Sequence, residues 1–342
     1  HRGYFAHMDP PTPWFSWVGA FWAASRNQNL LHPDTGSGAR DLEERVVAWL
    51  SSFFGMNGGH LVPGSTLANI TALWAARELK GVRNVVVSEM AHLSIRKAAS
   101  LLNLNLIEVP TDSYHQMKPD TKIDVNLDET AVVLTAGTVA AGAIDPLDLF
   151  PGAAWRHVDA AWGGPLRLTK HSGLLNGIEA ADSVSMSAHK WLFQPKESAI
   201  VMFRQADEAH AAISFGGGYL AAPNVGLLGS HGSTALPLAA TILAWGRQGI
   251  AERVEHCMEL AETLADRIDQ EPALELFSRP VTGVVLWRPR NVSPSTVRER
   301  MEGAFVSLTQ VGEETWFRSV AANPQADPDQ VVDSAQSALN AT

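Results

Sequence analysis

The sequence has little of several features that would assign it to particular classes of protein. A single cysteine, Cys257, excludes an internal disulfide, and its helical spacing with Val254 and Ala261 favours a buried apolar role over a reactive thiol. The longest apolar run, 235–245, falls short of the roughly 20 residues that span a bilayer. No basic-then-apolar leader opens the chain. We therefore expect a cytoplasmic protein with no membrane partner.

Charge is also sparse, and it is unbalanced. Charged residues make up 18% of the 342-residue chain, and the formal net charge is −10. This balance does not predict a basic surface for nucleic acid or anionic lipid, although it leaves a local basic patch open. There is no internal repeat and no low-complexity tract, and the 46% hydrophobic content is ample for a core. We expect a globular protein with no nucleic-acid partner.

Short β-branched or apolar runs alternate with helical patterns from residue 60 onward. The predicted strands are 60–62, 82–88, 104–110, 131–135, 155–160, 183–187 and 199–204. Helical spacing of apolar residues predicts helices over 66–80 and over 41–54. Strands that alternate with helices are typical of an α/β domain with a mostly parallel sheet.

The pattern changes after residue 204, where a glycine-rich stretch precedes helices predicted over 235–248 and 251–268. Further on, two strands and two helices with proline at the first helical position predict a small α+β domain. These elements are the strands 283–287 and 316–320 and the helices opened by Pro294 and Pro328. The predicted division is an N-terminal segment 1–40, a large domain 41–230 and a small domain 231–342.

The N-terminal segment is unusually aromatic and needs a covering surface. The aromatic residues that would need this cover are Trp14, Phe15, Trp17, Phe21 and Trp22. A lost N-terminal segment or a partner subunit could supply that cover. The chain starts at His1 rather than Met, so we expect it to be truncated there.

The strongest chemical signal is the run HVDAAWGG (157–164), followed by SAHKW (187–191). Asp159 and Lys190 both follow predicted strands, and ligands of open parallel sheets bind at those strand ends. A carboxylate there can keep a pyridine nitrogen protonated, and a desolvated lysine amine can form an imine with an aldehyde. Taken alone, each residue is more often a solvated end residue or a helix cap.

Two further features lie at strand ends. The run GSTLAN (64–69) opens a predicted helix, where amide groups and the Thr66 hydroxyl could hold a phosphate. His92 follows another strand and could stack on a ring. An ordinary capped helix start and a merely hydrogen-bonded histidine are the commoner interpretations of these two features.

In order and spacing, these motifs resemble the group II pyridoxal-dependent decarboxylases, the family of aromatic-amino-acid, glutamate and tyrosine decarboxylases. The resemblance covers nearly the whole chain. It rests on DLE (41–43), GSTLAN (64–69), AH (91–92), GT (137–138), HVDAA (157–161), HKW (189–191) and WFR (316–318).

The resemblance implies pyridoxal 5′-phosphate as cofactor, with no metal. It implies that Lys190 holds the cofactor as a Schiff base, that Asp159 pairs with the ring nitrogen and that His92 stacks on the ring. The implied phosphate ligands are Ser65, Thr66 and His189, and the implied lining of the ring site is Thr138, Ala161 and Ser187. It also implies an aspartate-aminotransferase-like (fold type I) architecture with a seven-stranded sheet, and a homodimer with sites at the interface.

The chain departs from the family pattern at several places. Leu67 replaces a usual glutamate, and Ser187-Ala188 replaces a usual Asn-Pro pair. The segment 213–233 corresponds to a mobile loop that often carries a protonating tyrosine in the family. Tyr219 is the only tyrosine in the sequence of this segment. Tyr219 is a candidate acid, although a packing role is the commoner interpretation.

Two further residues are candidates by position in the family. Ser230 could reach the partner subunit's phosphate, although a solvent-facing cap is an equal alternative. Arg318 lies where relatives place an arginine that pairs with the substrate carboxylate, although a surface or interdomain salt bridge explains it equally well.

We therefore expect the chain to decarboxylate an L-amino acid substrate to an amine and CO₂. One alternative on the same scaffold is oxidative decarboxylation to an aldehyde. Another is carbon–carbon cleavage of the kind catalysed by sphingosine-phosphate lyase. A catalytically silent homologue is a third. The sequence does not identify the substrate side chain.

Overall fold

The structure is a computed structural model that describes residues 1–218, 220 and 223–341. The α-helices in this part of the chain are α1 (Trp14–Arg26), α2 (Pro33–Ser51), α3 (Ser65–Lys80), α4 (Leu93–Leu102), α5 (Ala206–Ala212), α6 (Ala235–Asp269), α7 (Pro294–Arg300) and α8 (Pro328–Asn340).

The strands of the central sheet are β1 (Gly58–Val62), β2 (Asn84–Ser88), β3 (Asn105–Val109), β4 (Thr130–Thr135), β5 (Trp155–Asp159), β6 (Ser183–Ser187) and β7 (Ala199–Phe203). Short strands β8 (Ser214–Phe215) and β9 (Asn224–Val225) pair with each other. The remaining strands are β10 (Leu274–Leu276), β11 (Val284–Pro289), β12 (Ser307–Val311) and β13 (Glu314–Val320).

The central sheet has the order β1-β7-β6-β5-β4-β2-β3. Strands β3, β2, β4, β5 and β6 are mutually parallel, whereas β7 and β1 run antiparallel at one side. All seven strands predicted from the sequence are present. The expectation of an α/β fold with a mainly parallel seven-stranded sheet is confirmed.

Both faces of the middle of this sheet are buried, which explains why β7 is continuously apolar rather than alternating. Every residue of β4 and β7 is buried. One face packs against α3, α4 and α5, and the other packs against α2 and the first part of α6. The result is a three-layer domain whose strand ends meet at one edge.

A second sheet, β10-β11-β13-β12, is entirely antiparallel and packs against α8 and the C-terminal half of α6. The N-terminal residues join it, because Tyr4 bridges Phe305 and the Val320 amide donates to the Phe5 carbonyl. Phe5 is fully buried there. The N-terminal segment thus packs into the core of the C-terminal unit.

Helix α6 covers the two helices predicted over 235–248 and 251–268. Its backbone is non-helical at Gly246, with φ 61° and ψ −174°, and this kink separates two helical segments. Glycine adopts this conformation without a steric penalty, so the break falls at Gly246 rather than between the two predicted ranges. None of the helices in the described ranges has the length and apolarity that crossing a bilayer requires.

Candidate functional site

A cavity of about 350 Å³ opens at the carboxyl edge of the central sheet. Asp159 is the last residue of β5, and Lys190 follows the end of the adjacent strand β6 by three residues. The start of α3 closes another side. The lining residues are Pro63, Gly64, Ser65, Thr66, Leu67, His92, Thr135, Gly137, Val139, Asp159, Ala161, Ser187, His189 and Lys190.

Asp159 is buried and held by donors on both carboxylate oxygens. Its Oδ1 accepts from the Ala161 amide at 3.1 Å, and its Oδ2 accepts from Asn69 Nδ2 at 2.9 Å. The Ser185 hydroxyl lies 3.4 Å from Oδ1. These donors fix the orientation of the Asp159 carboxyl group at the edge of the cavity.

The Lys190 ammonium lies in the same cavity and has no hydrogen bond or ion pair with any residue that the structure describes. Burial lowers the pKa of Lys190, the Asp159 carboxylate opposes this, and the charge of Arg318 adds to the lowering. A lysine with a lowered pKa is more often a neutral amine at neutral pH. A neutral amine is what nucleophilic addition to an aldehyde requires.

The start of α3 forms a cradle for an anion. Gly64, at φ 143° and ψ 157°, precedes the helix, and no side chain caps its first turn. The amides of Leu67 and Ala68 already donate to the Gly64 carbonyl, which leaves those of Ser65 and Thr66 without a partner among the described residues. The Ser65 and Ser187 hydroxyls are 2.5 Å apart. Free amides at the positive end of a helix dipole favour a bound phosphate.

His92 and His189 contribute imidazoles to the cavity. His92 Nδ1 accepts from the Ser94 amide at 3.2 Å and lies 2.8 Å from the Ser94 hydroxyl, which leaves the proton of a neutral ring on Nε2. Burial is the main cause that lowers the pKa of His92. His189 Nδ1 donates to the Ser198 carbonyl at 3.0 Å. Its pKa is lowered to about 4, first by burial and then by the charges of Lys196 and Lys190.

Thr138 lies outside the lining of the cavity, although the resemblance implied that it lines the ring site. Its Oγ1 accepts from the Ala143 amide at 3.0 Å and so closes a turn after β4. Thr135, three residues earlier, lines the cavity instead. The Thr135 hydroxyl is buried and has no hydrogen-bond partner among the described residues. Ala161 and Ser187, by contrast, lie in the lining as expected.

Arg318 is buried close to this cavity. Its Nε donates to the Val139 carbonyl at 2.6 Å, and its Nη1 donates to the Ser307 hydroxyl at 3.2 Å. Within the described residues it forms no ion pair with a carboxylate, so the alternative of a surface or interdomain salt bridge has no support. Burial lowers the pKa of this guanidinium.

Two predicted residues, Tyr219 and Ser230, are still to be placed. Tyr219 lies outside the described residues. Ser230 is exposed, and its hydroxyl accepts from Asn29 Nδ2 at 3.2 Å. In this chain Ser230 therefore contacts the N-terminal segment rather than the cavity.

Sequence reasoning missed Thr135 and Asn69. Thr135 ends the predicted strand next to the one that ends at Asp159, so its place at the carboxyl edge was available as a signal. Asn69 stood in the motif at 64–69, but a polar residue on a helix face gives no hint of a partner 90 residues away.

Residues 1–290 match the model of the pyridoxal-dependent decarboxylase conserved domain. The chain belongs to the pyridoxal-dependent decarboxylase family. Pyridoxal 5′-phosphate is therefore its cofactor, and the family is one of decarboxylases that depend on it.

Individual relatives are distant but cover most of the chain. Aspartate 1-decarboxylase of Aliivibrio fischeri is 29% identical over 84% of this chain and 64% of its own length. L-2,4-diaminobutyrate decarboxylase of Rhizobium meliloti is 28% identical over 97% of this chain and 76% of its own. The chain thus spans less than two thirds of the first of these relatives. Oryza sativa TDC, solved with PLP and tryptamine, matches in fold with a TM-score of 0.88 at 20% identity, over 99% of this chain and 83% of its own.

Proposed function

We propose that this chain decarboxylates an L-amino acid to the corresponding amine and CO₂, with pyridoxal 5′-phosphate attached to Lys190. The observation that carries the proposal is the convergence, in one cavity at the ends of neighbouring strands, of a fixed carboxylate and a half-buried lysine that has no partner among the described residues. In proteins of this family a lysine forms an imine with the cofactor aldehyde, and a carboxylate pairs with the cofactor ring nitrogen.

The polar groups around the cavity fit the cofactor. The Ser65 and Thr66 amides would hold the phosphate, together with the Ser65 and Ser187 hydroxyls and His189. His92 and Ala161 would flank the ring, with Asp159 at its nitrogen. The buried Thr135 hydroxyl lacks a partner among the described residues, which supports a ligand with polar atoms at this place. When bound, pyridoxal 5′-phosphate supplies an aldehyde for the substrate amine and an electron-accepting ring.

Arg318 is the candidate for the substrate carboxylate. Its Nε is fixed on the Val139 carbonyl, and Val139 lines the cavity. A guanidinium without an acidic partner among the described residues has donors left for a carboxylate. Holding that carboxylate fixes the orientation of the bond to be broken, and orientation selects which bond reacts.

Lys190 would also carry protons whenever its amine is not joined to the cofactor. Because burial lowers the pKa of its ammonium, the released amine can accept a proton and return it. His92, whose pKa is also lowered by burial, stays neutral near pH 7 and offers an Nε2–H as a donor. Tyr219 remains a further candidate for the final protonation.

The test is a screen of the twenty standard and common non-standard amino acids for CO₂ release by the cofactor-loaded protein. We expect release with at least one amino acid, an amine as the product, and loss of turnover in Lys190→Ala. Lys196→Ala is the matched control, because Lys196 is exposed and pairs with Asp9 outside the cavity. A purified, loaded protein that releases no CO₂ from any of them contradicts the proposal.

The names of the relatives do not settle the side chain, because one names an acidic and the other a basic amino acid. The same screen separates the alternatives. Formation of an aldehyde with consumption of oxygen, in place of an amine, would indicate oxidative decarboxylation. Cleavage of a phosphorylated amino alcohol would indicate a carbon–carbon lyase. Absence of a cofactor absorbance band that depends on Lys190 would indicate a silent homologue.

We also propose that the chain divides into an N-terminal segment 1–40, a large domain 41–230 and a small domain 231–342. We further propose that it acts as a homodimer. Helix α1 supports the dimer, because Trp14 and Phe21 are 66% and 75% exposed and Trp17 and Trp22 are also exposed. Exposed aromatic faces of this size mark interaction surfaces. Sedimentation should give a dimer that Trp17→Glu/Phe21→Glu weakens. A monomeric wild-type protein at micromolar concentration contradicts this part of the proposal.

A further inference from the structure

A buried polar network lies directly beneath the cavity, and Asn69 is at its centre. Asn69 lies in the second turn of α3 and is fully buried. Its Nδ2 donates to Asp159 Oδ2 and to Ser94 Oγ, both at 2.9 Å. Its Oδ1 accepts from the Ser185 hydroxyl at 2.6 Å and faces His157 Nε2 at 2.9 Å. All four hydrogen-bonding positions of the amide are therefore used.

The neighbours of Asn69 fix which way its amide points. Asp159 is an acceptor when ionised, so the NH₂ group must face it, and the oxygen must face His157. His157 then donates from Nε2, and its Nδ1 accepts from the Ser183 hydroxyl at 2.8 Å. The Ser183 oxygen in turn accepts from Trp155 Nε1 at 2.8 Å. Burial lowers the pKa of His157, which keeps its ring neutral as this arrangement requires.

The other arm of the network reaches the imidazole in the cavity. Since Ser94 Oγ accepts from Asn69, its hydroxyl proton is free to donate to His92 Nδ1, 2.8 Å away. One amide group thus contacts the carboxylate beneath the ring site directly, and the imidazole above it through a single hydroxyl.

We propose that Asn69 is a positioning residue that holds the Asp159 carboxylate aimed at the cofactor ring nitrogen, and that it sets the orientation of His92 through Ser94. This inference rests on the proposed function. Asn69 does not line the cavity, so it acts only through these two side chains.

If Asn69 served only to pack the core, its removal would have a different effect from the one that a positioning role predicts. Without Asn69, the donors left to Asp159 are the Ala161 amide and the distant Ser185 hydroxyl, both on Oδ1. Oδ2 would then have no donor within the described residues, and the carboxylate would be free to rotate. That change weakens an interaction with a ring nitrogen specifically, whereas loosened packing weakens every ligand of the cavity alike.

The experiment compares two probes on the apoprotein, pyridoxal 5′-phosphate and its analogue with carbon in place of the ring nitrogen. Dissociation constants are measured by equilibrium dialysis for the wild type and Asn69→Ala. Asn69→Ser, which leaves a smaller void, is measured alongside in case the alanine variant does not fold. Thr71→Ala is the matched control, because Thr71 is fully buried on the same helix but bonds only the Leu67 carbonyl.

We expect Asn69→Ala to raise the dissociation constant of pyridoxal 5′-phosphate by roughly 10- to 100-fold, or about 1.4 to 2.8 kcal/mol, and to leave that of the analogue within about threefold. Thr71→Ala should leave the ratio of the two constants unchanged. Asp159→Ala should show the same selectivity as Asn69→Ala, and the double variant should lose little more, because the two residues act as one unit.

Equal weakening of both probes by Asn69→Ala and Asn69→Ser, or no weakening of either, overturns the positioning role. In that case a wild type that still prefers the nitrogen-containing probe leaves the proposed function standing. A wild-type apoprotein that binds neither probe overturns the proposed function, and the inference fails with it.

Discussion

Gly283, immediately before β11, packs closely against Trp191, the residue that follows Lys190. A Cβ at this position would lie 2.5 Å from Trp191 Cζ2, whereas carbon atoms pack at about 3.5–4.0 Å. The Trp191 ring would therefore have to move by about 1 Å. It has little room to do so, because it is fully buried and its ring centroid lies 3.9 Å from that of Trp162. Trp191 Nε1 also donates to the Ala321 carbonyl.

We predict that Gly283→Ala lowers the free energy of unfolding by about 1–3 kcal/mol, the usual cost of overpacking a core. Because Lys190 precedes Trp191, turnover should also fall, by up to about 100-fold, the scale expected for a 1 Å misplacement of a reacting group. Urea unfolding of the apoprotein and turnover of the loaded protein measure the two effects. Gly173→Ala is the control, because its Cβ would meet no atom within 4 Å. A Gly283→Ala protein as stable and active as this control would refute the reasoning.

Three further predictions concern charged groups. Binding of the cofactor phosphate should be accompanied by uptake of a proton at His189, because a nearby anion raises the pKa of His189, which is about 4 in the free protein. Calorimetry of binding in two buffers near pH 6 should detect this proton uptake, and His189→Gln should abolish it. Arg318→Lys should lower kcat/KM by about 10- to 100-fold with unchanged cofactor affinity, since the bidentate donors are lost; a larger loss of cofactor affinity than of kcat/KM would contradict it. His60 has its pKa lowered from 6.5 to about 3, mainly by burial, so its contribution to stability is present above pH 6.5 and is lost as pH falls toward 3; urea titrations should show a shallower acid loss for His60→Gln, and an equal slope would count against this.

The central sheet was predictable because most of its strands are short runs rich in β-branched or apolar residues, separated by helical patterns. The convergence of Asp159 and Lys190 followed from the same pattern, since the ends of parallel strands share an edge. The register of the turn after β4 was not predictable. It depends on the hydrogen bond between Thr138 and Ala143, and it puts Thr135 in the cavity where Thr138 was expected.

Other features depend on contacts that are distant in sequence. The place of Phe5 in the core of the C-terminal unit depends on backbone pairing with Phe305 and Val320, about 300 residues away, which no local pattern encodes. The position of the kink in α6 depends on the conformation of Gly246, which leaves no sequence signature beyond the glycine itself. Asn69 acquires its role only when β5 and β6 lie beside α3.

Attachment of the cofactor to Lys190 is tested most directly by reducing the cofactor-loaded protein with borohydride, digesting it and mapping the modified peptide by mass spectrometry. We expect one pyridoxyl group per chain, on Lys190, and no modification of Lys190→Ala under the same conditions. Modification of another lysine in the wild type, or none at all in a protein that binds the cofactor, would contradict it.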